Sequence, residues 1–250
     1  MPLLSTAETR MRKHEKSTLV LRFLRETIYS TADILGQVMN LRHRSTILRS
    51  LERMEAASLI THGQFQEMGG IVTLWGITAT GQDRALRDGE EPNPSVFNPS
   101  KISITNLLHY LDMQRIHAAG EKAGWKSFQY VDRHRRKNIA ANQTRASATR
   151  PDLTAISPQG NKGAIECERV RKSAQRYTAE IIPGHVRNLN AGEYEFVLWI
   201  TRTPEQQQEL YELFQEIVRQ MRQDRQWYLN VPPQSFKTFQ FANLQTWPNY

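Results

Sequence analysis

The 250-residue chain has a single cysteine, Cys167. One cysteine cannot close an internal disulfide, and it excludes a multi-cysteine zinc or iron–sulfur site. Long apolar runs are also missing. The longest, such as 196–200, fall far short of the ~20 residues a membrane helix needs. The start, Met1-Pro2-Leu3-Leu4, is too short for a charged-then-apolar export signal. No internal repeat or low-complexity tract is visible. These absences argue against a membrane span, a disulfide scaffold and a zinc finger, and they favour a cytoplasmic protein. What is present is ordinary for a globular chain, with 39% apolar and 23% charged residues. At ~150 residues per domain, the length allows one to two domains.

Charge is the first positive signal. Lys and Arg number 33 against 25 Asp and Glu, for a net charge of +8. Residues 1–91 carry 12 basic and 11 acidic groups, and the remainder carries 21 and 14. A basic excess of this kind suits an anionic partner such as nucleic acid.

Composition breaks at Asp88-Gly89-Glu90-Glu91-Pro92-Asn93-Pro94, with Pro99 close behind. Acids, a glycine and clustered prolines read as a linker. The expected organisation is therefore a first domain over 1–91, a linker over 92–99, a second domain over 100–231 and a tail over 232–250. In the first domain, 17–27 is a helical pattern with Val20, Phe23, Leu24 and Thr27 on one face. A short helix over 31–38 follows, with Thr31 as its cap and Ile34, Leu35 and Val38 inward. A third helix from about 45 to 57 turns Ile47, Leu48, Leu51 and Met54 inward. Arg42, Arg44, Arg49 and Arg53 fall on its outward side. Two β-like runs, 59–65 and 71–77, are joined by Gln66-Glu67-Met68-Gly69-Gly70. Three helices and a hairpin resemble a winged helix-turn-helix domain. That resemblance implies that the third helix enters the major groove of double-stranded DNA with its arginines on bases or phosphates.

The second half reads as a long helix over 98–123 (Ile104, Leu107, Leu108 and Leu111 inward), a strand over 125–131, and a hairpin of 151–156 and 163–170. A helix over 172–186, an apolar strand over 194–201, an amphipathic helix over 204–223 and a short strand over 227–231 follow. The tail is left unassigned. Chemistry concentrates in the hairpin, in Arg150-Pro151-Asp152 and Ala164-Ile165-Glu166-Cys167-Glu168-Arg169. Strand alternation puts Glu166 and Glu168 on one face and turns Cys167 toward the core. The hairpin brings Asp152 beside that face. Three converging carboxylates repel one another, so a bound cation is the natural compensation. An all-oxygen set suits Mg²⁺ or Mn²⁺. The intervening run Arg133-His134-Arg135-Arg136-Lys137 forms a basic loop. It reads either as a clamp on DNA phosphates or as a solvated charged segment.

The hairpin and its αβββαβ surroundings resemble the PD-(D/E)XK nuclease superfamily. The resemblance implies metal binding by Asp152 and Glu166, with the metal polarising the scissile phosphate and activating water. The third position, usually lysine, is Glu168 here. Lys172, one turn into the following helix, is the candidate for a displaced positive charge, and Lys162 in the hairpin turn is another. The winged helix, then Asn106-Leu107-Leu108-His109-Tyr110-Leu111, Arg-Pro-Asp and Glu-X-Glu-Arg, with Lys172 and Arg176-Tyr177, resembles the replication-relaxation family. It looks especially like the MobC-type (MOBC) relaxases of mobilizable plasmids. That likeness spans roughly residues 15–220. It implies nicking of a plasmid transfer origin and accessory mobilization proteins as partners. His109 takes the family's helix histidine position, although a lone helix histidine is also an ordinary structural residue. Glu121 is a candidate auxiliary acid or a solvated helix end. Tyr177 reads as a packing or phosphate-contact residue.

The seven histidines form no His-X-His cluster, so a carboxylate–metal site is the better candidate for strand nicking than a histidine–tyrosine one. Two other classes stay open. One is a non-enzymatic DNA-binding regulator of plasmid replication or transcription, with the nuclease-like half as an assembly module. The other is a restriction-like or transposon-associated endonuclease. In every case the expected fold mixes α+β and α/β character.

Overall fold

In the computed structural model, residues 6–67, 69–91, 93–131, 150–221, 223 and 237–248 are described. They divide into two units, Met1–Ala118 and Ala119–Tyr250.

The first unit begins with helix α1 (Thr6–Thr27), which starts well before the amphipathic stretch that the sequence marks. Ile28, at φ 66°, ends it. The chain then forms β1 (Tyr29–Thr31), α2 (Ala32–Val38), α3 (Arg44–Ala56), β2 (Ile60–Glu67), β3 (Gly70–Ile77) and α4 (Ala79–Ala85). Thr31 caps α2 with extended backbone alone, whereas the Thr78 hydroxyl at the head of α4 accepts from the Gly81 amide at 3.0 Å. The three strands are antiparallel in the order β1-β3-β2. Val20, Leu24, Ile34, Leu35, Leu51, Leu74 and Ile77 fill the core beneath them.

The expected linker is a packed segment. The Phe97 amide donates to the Ile77 carbonyl at 2.9 Å, and the Phe97 ring is buried over Gly76. A Cβ on Gly76 would stand 2.1 Å from Phe97 Cγ, so only glycine leaves room for that ring. Helix α5 (Ile104–Lys122) continues the same packing. Leu107 and Leu111 are buried, the Tyr110 hydroxyl donates to the Thr27 carbonyl at 2.7 Å, and Gln114 donates to that of Tyr29 at 2.8 Å. Ile104, expected inward, is instead exposed. The units consequently part at Ala118 and Ala119, inside α5, rather than at 92–99.

The second unit holds β4 (Lys126–Tyr130), β5 (Leu153–Ile156) and β6 (Lys162–Glu168). A helical stretch follows, made of α6 (Ala174–Arg176), a π-type turn (Tyr177–Ile181) and α7 (Ile182–Asn190). Then come β7 (Phe196–Thr201), α8 (Pro204–Met221) and β8 (Phe239–Asn243). The sheet order is β4-β5-β6-β7-β8. The first three strands are antiparallel neighbours, and β6, β7 and β8 run parallel. Trp199, Tyr177, Phe214, Leu210 and Phe239 pack the core on one face of that sheet. The tail, which shows no clear pattern in the sequence, thus supplies the edge strand. The short strand expected at 227–231 lies outside the described residues, as do Arg135, Arg136 and Lys137 of the basic loop. The whole is an α+β fold. Among the described residues, no helix is long and apolar enough to cross a membrane.

Candidate functional site

Strand β6 lies between β5 and β7, so both of its edges are paired. Its acids are buried rather than displayed: Glu166 is 9% exposed and Glu168 4%, with Cys167 at 5% between them. Leu153 pairs with Ile165, and one further step of that register sets Asp152 opposite Glu166. Asp152 itself lies just outside β5, and Glu166 has Trp199 of β7 as its register partner on the other side.

Each carboxylate has its own neighbour. Asp152 Oδ2 accepts from the Cys167 amide at 2.8 Å, a bond that ties the start of β5 to β6. Glu168 takes the Lys172 ammonium on both oxygens, at 2.7 and 2.5 Å. Lys172 does so from the irregular segment before α6, not from inside a helix as its spacing suggested. Glu166 Oε1 sits 3.0 Å from His185 Nε2, off the alignment of a good hydrogen bond. The expectation of three carboxylates converging on one ion is corrected accordingly. Among the described residues, no group of three or more His, Cys, Asp or Glu side chains is placed to hold a metal. The Cys167 amide on Asp152 and the Lys172 ammonium on Glu168 stand where a shared cation was expected. Asp152 and Glu166 remain as a two-carboxylate oxygen pair. Such a pair fits Mg²⁺ or Mn²⁺, since Mg²⁺ takes one or two carboxylates and fills its shell with water and phosphate oxygens.

His185 does not stand out in the sequence. It lies on α7, is completely buried, and its Nδ1 is 2.7 Å from the Tyr194 hydroxyl. The Asn188 amide donates to the same hydroxyl at 3.2 Å. Burial lowers the pKa of His185 from 6.5 to about 4; the charge of Asp152 opposes that shift and the charge of Lys172 adds to it. The ring is therefore neutral near pH 7. Tyr177 and Tyr194 are both pushed above the usual phenol range. Burial is the main cause for each, helped at Tyr177 by the charge of Glu168 and at Tyr194 by that of Glu166. The signal for His185 is a polar side chain on the apolar stripe of Ile181, Ile182 and Val186.

Tyr177 is a core residue. Its ring meets Trp199 and Phe214 edge-on at 5.8 and 5.3 Å, and its oxygen accepts from the Lys172 amide at 3.3 Å. It begins the π-type turn; such turns often mark functional sites. A cleft of about 150 Å³ opens at the carboxyl ends of β6 and β7, lined by Glu168, Arg169, Arg171, Thr201, Gln206 and Glu209. The carboxyl ends of parallel strands are where open sheets commonly receive ligands. Glu121 is exposed on the last turns of α5. His109 is half-buried in the first unit, whereas the carboxylates belong to the second.

In the first unit, Arg44, Arg49 and Arg53 lie on α3, away from its buried side, and Arg42 stands just ahead of it. Ile47, Leu51 and Met54 bury the opposite side, while Leu48 is half-buried. Arg53 Nε donates to the Arg49 carbonyl at 3.2 Å, and its Nη2 donates to Ser50 Oγ at 3.2 Å. The guanidinium is thereby held along the helix. Comparison with known proteins finds no matching family model, no matching curated protein and no matching solved structure.

Proposed function

We propose that this chain is a metal-dependent DNA endonuclease, a plasmid mobilization relaxase that nicks a transfer origin. In this reading the first unit is a winged helix on double-stranded DNA and the second a PD-(D/E)XK nuclease-like domain. The observation that carries it is Asp152 at the head of β5, its carboxylate bonded to the Cys167 amide next to Glu166 on β6, in a sheet whose order runs helix, three antiparallel strands, helix, parallel strand. The order α1-β1-α2-α3-β2-β3, with arginines on the outward side of α3, supports the DNA-binding part.

Asp152 and Glu166 would hold Mg²⁺ or Mn²⁺. When bound, that ion supplies positive charge to the scissile phosphate and makes a water more acidic. The Cys167 amide fixes the Asp152 carboxylate. Lys172 neutralises Glu168, which stands where the nuclease pattern has lysine, so positive charge reaches that end of β6 from outside the strand. Arg169 and Arg171 line the adjoining cleft and are suited to phosphate oxygens. Accessory mobilization proteins are the expected partners.

The test is nicking of supercoiled plasmids carrying candidate origins, with Mg²⁺ or Mn²⁺. Asp152→Asn and Glu166→Gln should each abolish nicking while DNA binding persists. Wild-type-rate nicking by Asp152→Asn would show the site to be misplaced. A second reading, a non-enzymatic DNA-binding regulator, is favoured by the separate protein partner that each of the three carboxylates has. Absence of nicking by the wild-type protein, together with sequence-specific binding by the first unit, would select it.

A further inference from the structure

Three polar side chains beyond the nuclease pattern, on α7 and the segment before β7, form a chain whose last member, His185, faces Glu166. Asn188 Nδ2 donates to the Tyr194 oxygen at 3.2 Å, which leaves the phenolic hydrogen to point at His185 Nδ1, 2.7 Å away. With Nδ1 accepting, the neutral ring carries its proton on Nε2, and that N–H faces Glu166 Oε1 at 3.0 Å. The ring has no freedom to turn elsewhere. It is fully buried, with Trp199 edge-on at 5.5 Å and Phe239 at 6.5 Å. Tyr194 takes Nδ1 and Nε2 faces the Glu166 carboxylate, so the imidazole is not placed as a metal ligand.

We propose that Asn188, Tyr194 and His185 form a buried relay that aims the Glu166 carboxylate at a divalent cation, with His185 as a positioning residue. The inference rests on the nuclease reading of Asp152 and Glu166. It gives a physical role to a chain of hydrogen bonds that apolar side chains would otherwise replace without loss. With Oε1 3.0 Å from the histidine, the other carboxylate oxygen is directed away from it. The imperfect Nε2–Oε1 alignment fits a contact that tightens when the carboxylate engages its ion, as such bonds do on ligand binding. Residues that orient metal ligands typically change metal affinity by about 10–100-fold when removed.

The experiment is Mn²⁺ titration of the full chain without DNA, reading free Mn²⁺ by electron paramagnetic resonance. Far-ultraviolet circular dichroism and a urea midpoint establish that each variant is folded. Tyr194→Phe removes one oxygen and keeps the ring, and it should weaken Mn²⁺ binding about 10-fold. His185→Leu should weaken it at least as much. His185→Gln, whose amide can still donate near the Nε2 position, should recover most of the affinity. Tyr194→Phe and His185→Leu proteins that bind Mn²⁺ like wild type, while Glu166→Gln does not, would overturn the relay and leave the nuclease reading standing. Equal loss in His185→Leu and His185→Gln would make the imidazole a ligand and overturn the positioning role. A wild-type protein that binds no Mn²⁺ would overturn both the relay and the reading beneath it.

Discussion

Replacing Lys172 with methionine isolates the electrostatics of the buried acid at the end of β6. The Glu168 side chain is 4% exposed and its ammonium partner 29%, with N–O distances of 2.7 and 2.5 Å. Methionine keeps the aliphatic stem and deletes only the charge. Removing one member of a fully buried ion pair costs about 3–5 kcal/mol, because the other charge is left desolvated and uncompensated. Here water reaches the lysine side and can restore part of the missing solvation, so Lys172→Met should cost about 2–3 kcal/mol. With urea slopes of about 1–3 kcal/mol per molar, the midpoint should fall by roughly 1 M. Tryptophan fluorescence reports the transition through Trp199, in the core on the same face. Adding Glu168→Gln should recover more than half of the loss, since the penalty belongs to the stranded charge and not to missing packing. A Lys172→Met protein within about 0.5 kcal/mol of wild type, the range of ordinary surface substitutions, would refute the reasoning. It would mean that Glu168 is solvated.

His185 makes stability depend on pH in a defined window. The unfolded chain takes its proton near 6.5 and the folded protein only near 4. Its contribution is therefore complete above pH 6.5 and declines as pH falls toward 4, by about 3 kcal/mol at 1.36 kcal/mol per unit. Urea midpoints measured from pH 7.5 to 4 should show this slope, and His185→Leu should lack it. Arg44→Ala and Arg49→Ala should each cost about 1–3 kcal/mol where the arginine reads a base; a gel-shift titration with unchanged affinity and unchanged site preference would exclude α3 as the reading element. Neutralising Arg135, Arg136 and Lys137 should weaken binding to all duplex sequences and lower the salt slope by about 0.9 for each phosphate no longer neutralised. A weakening confined to one sequence at constant slope would contradict that. Gly163→Ala would place a Cβ 2.3 Å from the Phe196 ring, and thermal melts should show a loss of about 1–3 kcal/mol.

Particular elements show what was legible in the sequence and what was not. Strand β7 announces itself as an unbroken apolar run because both its faces are covered. That Asp152 lies beside the acid-bearing strand follows from the hairpin turn, and its carboxylate meets the Cys167 amide there. What alternation cannot supply is the third dimension. On a central strand, Glu166 and Glu168 lie under other elements rather than in solvent, so their partners come from segments beyond the hairpin or outside regular structure. Lys172 reaches Glu168 from a non-helical segment, and His185 reaches Glu166 from a helix whose apolar stripe hides it. Strand β1 has three residues, too few to show a period. Strand β8 follows a proline pair, Pro232-Pro233, and its pattern of aromatics has meaning only beside β7. The linker reading failed at Phe97, since acids and prolines describe the chain's local stiffness and not where an aromatic ring finds a seat.

The late position of β8 also bears on synthesis. Until Phe239–Asn243 emerges, Phe196–Thr201 has one unpaired edge, six consecutive residues that are all buried in the finished sheet. An apolar strand with open N–H and C=O groups is a template for another chain. At about 5–20 residues per second, the stretch between the two strands takes a few seconds to translate. During that interval the open edge of β7 can mispair with other nascent copies. Slowing translation there should raise aggregation.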